Sequence, residues 1–348
     1  MKNNKPKLIL HIGANKTATS SVQKFASDYN KHFLKEGLHY PKYGKMYFGH
    51  HGLATLASLS STEIKESEVV RYRQEKFNYL EGGSDLKDDM YKTAVENNYI
   101  TLLSSEAFMQ YNNPSKVKDY FNKFDISVML YVRNYASFLS SWYQQVLVSQ
   151  NYVHDFRKFI DERFVQKTKF YEIIKNWKAV FGDNVNVLKY DVSELQNENI
   201  ISDFFHKINV SLPNKVNYNN YFLNNSVTGN LLYFKKIINK NIDKVTSSQI
   251  SDEIQALSEH ESFLSSRGKL TISKSDMEYA YKSFKSDADM LKSECGIDFG
   301  DFEYTETGFP SPIKEDIQKD FDKCIEECIR TDKRLYHFLL ASKKEILS

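Results

Sequence analysis

The chain has only three cysteines in 348 residues, Cys295, Cys324 and Cys328. So few, and in odd number, they exclude a disulfide framework and suit a reducing compartment. Cys324 and Cys328 would share a helix face, but no further Cys or His pair completes a zinc site. No stretch approaches the roughly 20 apolar residues that a membrane span requires. The opening residues, MKNNKPKLILHIG, hold an apolar run too short for a signal-peptide core. A cytoplasmic protein without a membrane span is therefore expected. An excess of one charge is also missing. Lys and Arg total 47 against 45 Asp and Glu, a net charge of +2, so nothing draws the whole molecule to nucleic acid. Any anion must be held by a local cluster.

Aromatic residues are plentiful at 14%, with 24 Phe and 23 Tyr, which supplies a globular core rather than a disordered chain. The length exceeds the roughly 250–300 residues at which single cores stop growing. The expected organisation is a core over residues 1–225 and a helical extension over 226–348. The charged segment 58–89 is read as an irregular insertion over the crevice of that core.

Lys7 to Gly13 (KLILHIG) is a nearly continuous apolar run that stops at Gly, the pattern of a strand buried on both faces. Val22, Phe25 and Tyr29 then follow at helical spacing. Two more such strands are expected at Tyr99–Ser104 and Ile126–Val132. Beyond the second, Phe138, Trp142 and Val146, with Leu139, Tyr143 and Leu147, form a broad helical stripe. A single helix is expected over about 164–181, a strand over 185–190, a helix near 198–208 and a last helix over about 313–342. Breaks are expected at Asn224–Ser226 and at Gly308–Pro312. The fold class is α/β: a P-loop-like, doubly wound, mainly parallel sheet flanked by helices, with a helical C-terminal extension. In such sheets the ligand crevice lies beyond the carboxyl ends of the strands. Lys16, Glu106 and Arg133 each stand just past an expected strand end.

The residues His11-Ile-Gly-Ala-Asn-Lys16-Thr-Ala-Thr-Ser-Ser-Val-Gln23 carry the most chemistry. Backbone N–H groups at the start of a helix form an anion site, helped by the helix dipole. Lys16 adds a charge, and Thr17, Thr19, Ser20 and Ser21 add hydroxyls. The same residues also read as an N-cap cluster beside a solvated lysine. The residues alone leave that choice open.

This string resembles the 5′-phosphosulfate loop of the PAPS-dependent sulfotransferases (PAPS, 3′-phosphoadenosine-5′-phosphosulfate), in its bacterial form HIG-x-x-KTGTTS-x-Q. Ala18 stands where the family has Gly. If that position needs positive φ, Ala is strained there by roughly 1 kcal/mol or more. Arg133-Asn-Tyr-Ala-Ser-Phe-Leu-Ser-Ser141 resembles the family's 3′-phosphate signature, an Arg after a strand and a Ser eight residues on. Arg offers a permanently charged fork for phosphate, and Ser141 a hydroxyl; Ser140 is the less favoured alternative. A strand-end Arg paired with a carboxylate is the plain reading of Arg133 alone. Its order after the upstream loop favours the phosphate role. Weaker likenesses are a His-containing loop, Phe48–Ala54, a Ser-Ser-Glu strand end at Leu103–Phe108, and an Asn-x-Ser loop at Asn224–Thr228.

The resemblance implies in-line transfer of a sulfuryl group from PAPS to an acceptor hydroxyl, without metal. A bacterial glycan is the family-level acceptor, and a small molecule is the alternative. Lys16, Thr17, Ala18, Thr19, Ser20, Ser21, Arg133 and Ser141 would bind the nucleotide. Lys16 would also stabilise the bridging oxygen. Glu106 is the favoured base for the acceptor hydroxyl, with His51 orienting the acceptor or replacing Glu106, and His50 as third choice. Two rival classes remain. A P-loop kinase needs G-x-x-x-x-G-K-[ST], yet Gly13 precedes Lys16 by three residues and Asn15 stands before the lysine. A non-catalytic nucleotide-binding or interaction module would not require Lys16, Glu106 and His51 together.

Overall fold

The computed structural model describes every residue except 1–4, 15, 83–84, 222–226, 228, 259–271, 302–303 and 305–311. Five strands form one sheet: β1 (Lys7–His11), β2 (Leu38–His39), β3 (Ile100–Ser104), β4 (Asp125–Val132) and β5 (Val185–Lys189). Their order is β2-β3-β1-β4-β5, and every pairing is parallel. This is the expected α/β architecture. β1 lies between β3 and β4, so successive connections leave it toward opposite sides, and its carboxyl end is where sheets of this kind place a ligand.

The apolar runs form strands because both faces are covered. Leu8, Leu10, Leu102, Leu103, Val128, Leu130 and Val132 are all essentially buried, the condition under which a parallel sheet reads as continuous apolar sequence. On one face the helix α1 (Thr19–Asp28) brings down Val22, Phe25 and Ala26 among Phe33, Leu38, Tyr40, Met129, Tyr131, Phe204 and Phe205. Phe33 and Phe205 stack at 4.4 Å with an angle of 8° between their planes. Each such buried ring is worth about 1.5–3 kcal/mol relative to exposure.

The chain divides into two compact units. The first comprises Met1–Asn134, Thr168–Leu223 and Asp287–Phe299, and contains the whole sheet. The second comprises Tyr135–Lys167, Asn224–Ser286 and Gly300–Ser348. Within the second, the helix Tyr135–Ser149 buries Phe138, Leu139, Trp142, Tyr143, Val146 and Leu147, the stripe expected of it. Among the described residues, no helix is long and apolar enough to cross a membrane.

Several elements depart from expectation. The segment 58–89 is not irregular: it contains helices Ser61–Glu66 and Glu68–Phe77 and the start of Asp85–Asn97. Ser60 begins the first with a reciprocal capping box to Glu63, a local signal that the charged composition masks. The helix expected over 164–181 is two, Arg163–Gln166 and Phe170–Phe181. The long last helix is also two, Ile317–Arg330 and Leu335–Ile346, parted where Asp332 takes φ 49. Two-residue β2 is too short to leave a sequence pattern. The Asn224–Ser226 break, and the Gly308–Pro312 break apart from Pro312, lie outside the described residues.

Candidate active site at the carboxyl ends of the central strands

From β1 the chain leaves the sheet at Ile12, whose N–H donates to the Met129 carbonyl at 3.0 Å. It then turns through left-handed backbone, with φ 32 at Gly13, 64 at Lys16 and 55 at Ala18. A Cβ on Gly13 would stand 2.9 Å from the Thr19 side chain, so both φ and space require glycine there. Ala18 is the N-cap of α1 and supplies no side-chain cap. The left-handed strain considered for Ala18 from its place in the sequence is thus present. Thr17 and Thr19 turn inward, their hydroxyls donating to the Ala14 carbonyl at 2.8 and 3.3 Å. Both are buried, as is Ser21, whereas Ser20 is half-buried. Those inward hydroxyls hold the loop closed. Lys16 and Ser20 stay partly accessible beside them.

Arg133, just past β4, donates from Nη1 to the Lys16 carbonyl at 3.0 Å. Its guanidinium lies over the Tyr190 ring, 5.6 Å from the centroid, at the end of β5. Among the described residues neither cation forms an ion pair with a carboxylate, contrary to the plain reading of a strand-end Arg. Burial, and then the neighbouring Arg133 charge, lower the pKa of Lys16. Burial also lowers that of Arg133. Lys16 and Arg133 are thus two half-buried, mutually repelling cations with no carboxylate partner among the described residues.

A second group gathers at the end of β3. Glu106 begins the helix Ala107–Tyr111, and its Oε2 accepts from Gln23 Nε2 at 3.2 Å. His51 begins the helix His51–Ser58 and places Nε2 at 3.9 Å from the same Oε2. On the other side of the ring, His51 Nδ1 meets Ser105 Oγ at 2.9 Å. Ser105 Oγ also accepts from the Ala107 N–H at 3.1 Å; the Glu106 carboxylate beside Nε2 favours the tautomer that carries the imidazole proton there, with Ser105 donating to Nδ1. Burial lowers the His51 pKa, Glu106 opposes the shift, and Arg73 adds to it. That tautomer turns the ring's N–H rather than its lone pair toward Glu106.

His50 is built in differently. Ser104 N–H donates to its Nδ1 at 3.2 Å, and its Nε2 donates to the Pro41 carbonyl at 2.8 Å. Fully buried and lowered in pKa chiefly by that burial, it clamps the 40s loop to β3 and has no free nitrogen. Ser141 lies half-buried on the helix Tyr135–Ser149, in the second unit. The Ser140 hydroxyl donates to the Ser137 carbonyl at 3.3 Å; the Ser141 hydroxyl has no such bond among the described residues.

The structure thus joins Lys16 to Arg133, and Glu106 to His51, while no direct contact links Lys16 to Glu106 among the described residues. Sequence reasoning gave no role to Gln23, Ser105, Arg73 or Tyr190. Gln23 lay inside the motif, but its partner is 83 residues away; nothing in the local pattern of Arg73 distinguishes it from a solvated helix charge. No cluster of three or more His, Cys, Asp or Glu placed to hold a metal occurs among the described residues.

No family profile matches the chain, and no curated protein matches it. Among solved structures, it is similar to a sulfotransferase from Alicyclobacillus acidocaldarius, at 12% identity and a TM-score of 0.41. That match covers 85% of this chain and 97% of the other. A likeness of that degree says nothing about the reaction, which has to be argued from the site.

Proposed function

We propose that this protein transfers a sulfuryl group from PAPS to an acceptor hydroxyl. The observation that carries the reading is the Lys16–Arg133 pair, two cations with no carboxylate partner among the described residues, set at the start of α1 and beyond the central strands. A nucleotide with phosphates at both ends of its ribose suits such a pair. The α1 amides, Lys16 and Ser20 would take the 5′-phosphosulfate, with Thr17, Ala18, Thr19 and Ser21 shaping the loop. Arg133 would take the 3′-phosphate, and Ser141 joins it on sequence spacing alone.

In the reaction the acceptor oxygen attacks sulfur while the bond from sulfur to the bridging oxygen breaks. Negative charge grows on the leaving phosphate, and the Lys16 ammonium stabilises it there. Glu106 accepts the acceptor's proton, and the His51 Nε2–H donates toward the carboxylate or the acceptor oxygen. The protein's part is positioning and charge stabilisation, as in phosphoryl transfer. A glycan is the acceptor favoured by family resemblance.

The test has two steps. Calorimetry with adenosine 3′,5′-bisphosphate asks whether the nucleotide binds, and radiolabelled PAPS incubated with lysate asks whether sulfate is transferred. Lys16→Met should cut turnover far more than nucleotide affinity, since its charge matters most as the bridging oxygen becomes anionic. ATP-dependent labelling that EDTA abolishes would instead favour the kinase reading. Binding without transfer to any lysate fraction would favour the non-catalytic one.

A further inference from the structure

Gln23 is buried on α1, one turn beyond Thr19, on the helix whose first amides face the proposed donor site. Its side-chain nitrogen has two neighbours from the end of β3: Ser104 Oγ at 3.3 Å and Glu106 Oε2 at 3.2 Å. An ionised carboxylate only accepts hydrogen bonds, so the amide must turn its NH2 to Glu106, and its second hydrogen then reaches Ser104. Ser104 in turn meets His11 Nδ1 at 2.9 Å. Burial lowers the pKa of His11 to about 3, which keeps the ring neutral and able to accept the Ser104 proton. Gln23 therefore donates to Glu106 on one side and to Ser104 on the other, and Ser104 is held in turn against the neutral His11 ring.

Gly49 leaves room for this arrangement. A Cβ there would stand 2.8 Å from both Gln23 Oε1 and His51 Nε2, so a side chain would force apart the two groups that flank Glu106. A buried amide with both hydrogens used, in a space that another residue keeps open, does more than fill the core.

We infer that Gln23 is a positioning residue, which fixes the Glu106 carboxylate to the phosphate-loop helix so that base and donor move as one body. The inference rests on the reading of Glu106 as base given above. It explains how two groups of residues without direct contact can act on one reaction. α1 carries the donor amides at its first turn and the Glu106 anchor at its second. A shift of the loop on binding nucleotide is thereby transmitted to the base.

The test uses Gln23→Met, which keeps length and removes both donors, and Gly49→Ala, which keeps the amide and crowds it. The Gln23 side-chain amide protons are followed by NMR in the full chain: Glu106→Gln, which removes the charged acceptor, should shift them and speed their exchange with water. With para-nitrophenol as probe acceptor, kcat of Gln23→Met should fall about tenfold, the worth of one hydrogen bond to a charged group, at unchanged KM for PAPS, and Gly49→Ala should lower it less. In a Glu106→Gln background Gln23→Met should cost little more. Thermal melting checks that the variants fold, and calorimetry should find affinity for adenosine 3′,5′-bisphosphate retained. Amide protons that ignore Glu106→Gln, or a full kcat in both folded variants, would overturn the inference. Failure of the unmodified protein to bind the bisphosphate would overturn the donor-site reading instead, and would leave the NMR result to decide about Gln23.

Discussion

Arg133 Nη1 and the Lys16 carbonyl meet at 3.0 Å across 117 residues of sequence. The guanidinium expected to grip phosphate thus also braces the loop that carries the lysine. The loop needs a brace: Lys16 and Ala18 both take left-handed backbone, at φ 64 and 55, which costs residues with a Cβ roughly 1–2 kcal/mol each.

That double duty sets the expected result for Arg133→Ala. Affinity for adenosine 3′,5′-bisphosphate should fall by roughly 2–5 kcal/mol, the range for truncating one partner of a buried charge pair. Affinity for 5′-AMP should fall too, but by less, since only the bracing is lost. Equal losses measured by calorimetry would mean that Arg133 braces the loop and does not touch the 3′-phosphate.

Ala18→Gly provides the converse experiment. Glycine takes φ 55 without steric cost, although it gives the unfolded chain more freedom. The two effects nearly cancel in stability, so melting should hardly change. Nucleotide affinity should hold or rise. A clear loss of affinity would show that Ala18 contributes through its methyl group.

Glu106→Gln keeps the shape and removes the basicity, so turnover should drop by about 10²–10⁴ while nucleotide binding stays. His51→Asn should be milder and act mainly through acceptor KM, because the ring presents an N–H to the site and is held by Ser105 on its other side. Steady-state kinetics of the two variants decide the assignment. It reverses if His51→Asn abolishes turnover and Glu106→Gln keeps most of it.

In the second unit, Lys235 is fully buried, bonding Asn239 and Ser247, and burial lowers its pKa to about 7. From about pH 7 up to the ordinary lysine range, the unfolded chain holds a proton that the folded chain has given up, so stability rises with pH. Below about 7 both states are protonated and the full cost of burying the charge applies. Lys235→Met removes that cost, while Asn239 Oδ1 still accepts from Ser247 Oγ at 3.0 Å. The variant should melt higher than the unmodified protein at pH 6, and its advantage should shrink by pH 9. An advantage that does not change with pH would mean that Lys235 keeps its proton in the folded chain up to the ordinary lysine range.

The central strands, and the end of the sheet they serve, are written in the local sequence. Lys7–His11, Ile100–Ser104 and Asp125–Val132 read as continuous apolar runs because a parallel sheet covered on both faces admits little else. The groups just past their ends, Lys16, Glu106 and Arg133, were legible for the same reason. The capping box at Ser60 was also written there, though a charged composition hid it. The polar partners are another matter, since they come together only in the folded chain. That Thr17 and Thr19 turn inward, that His50 is fixed by Ser104 and Pro41 while His51 faces Glu106, and that Gln23 reaches the same carboxylate all depend on neighbours distant in sequence. A local pattern records which face of an element is apolar. It does not record which polar atoms meet once those faces are buried, because these contacts are set by strand order and register across the sheet.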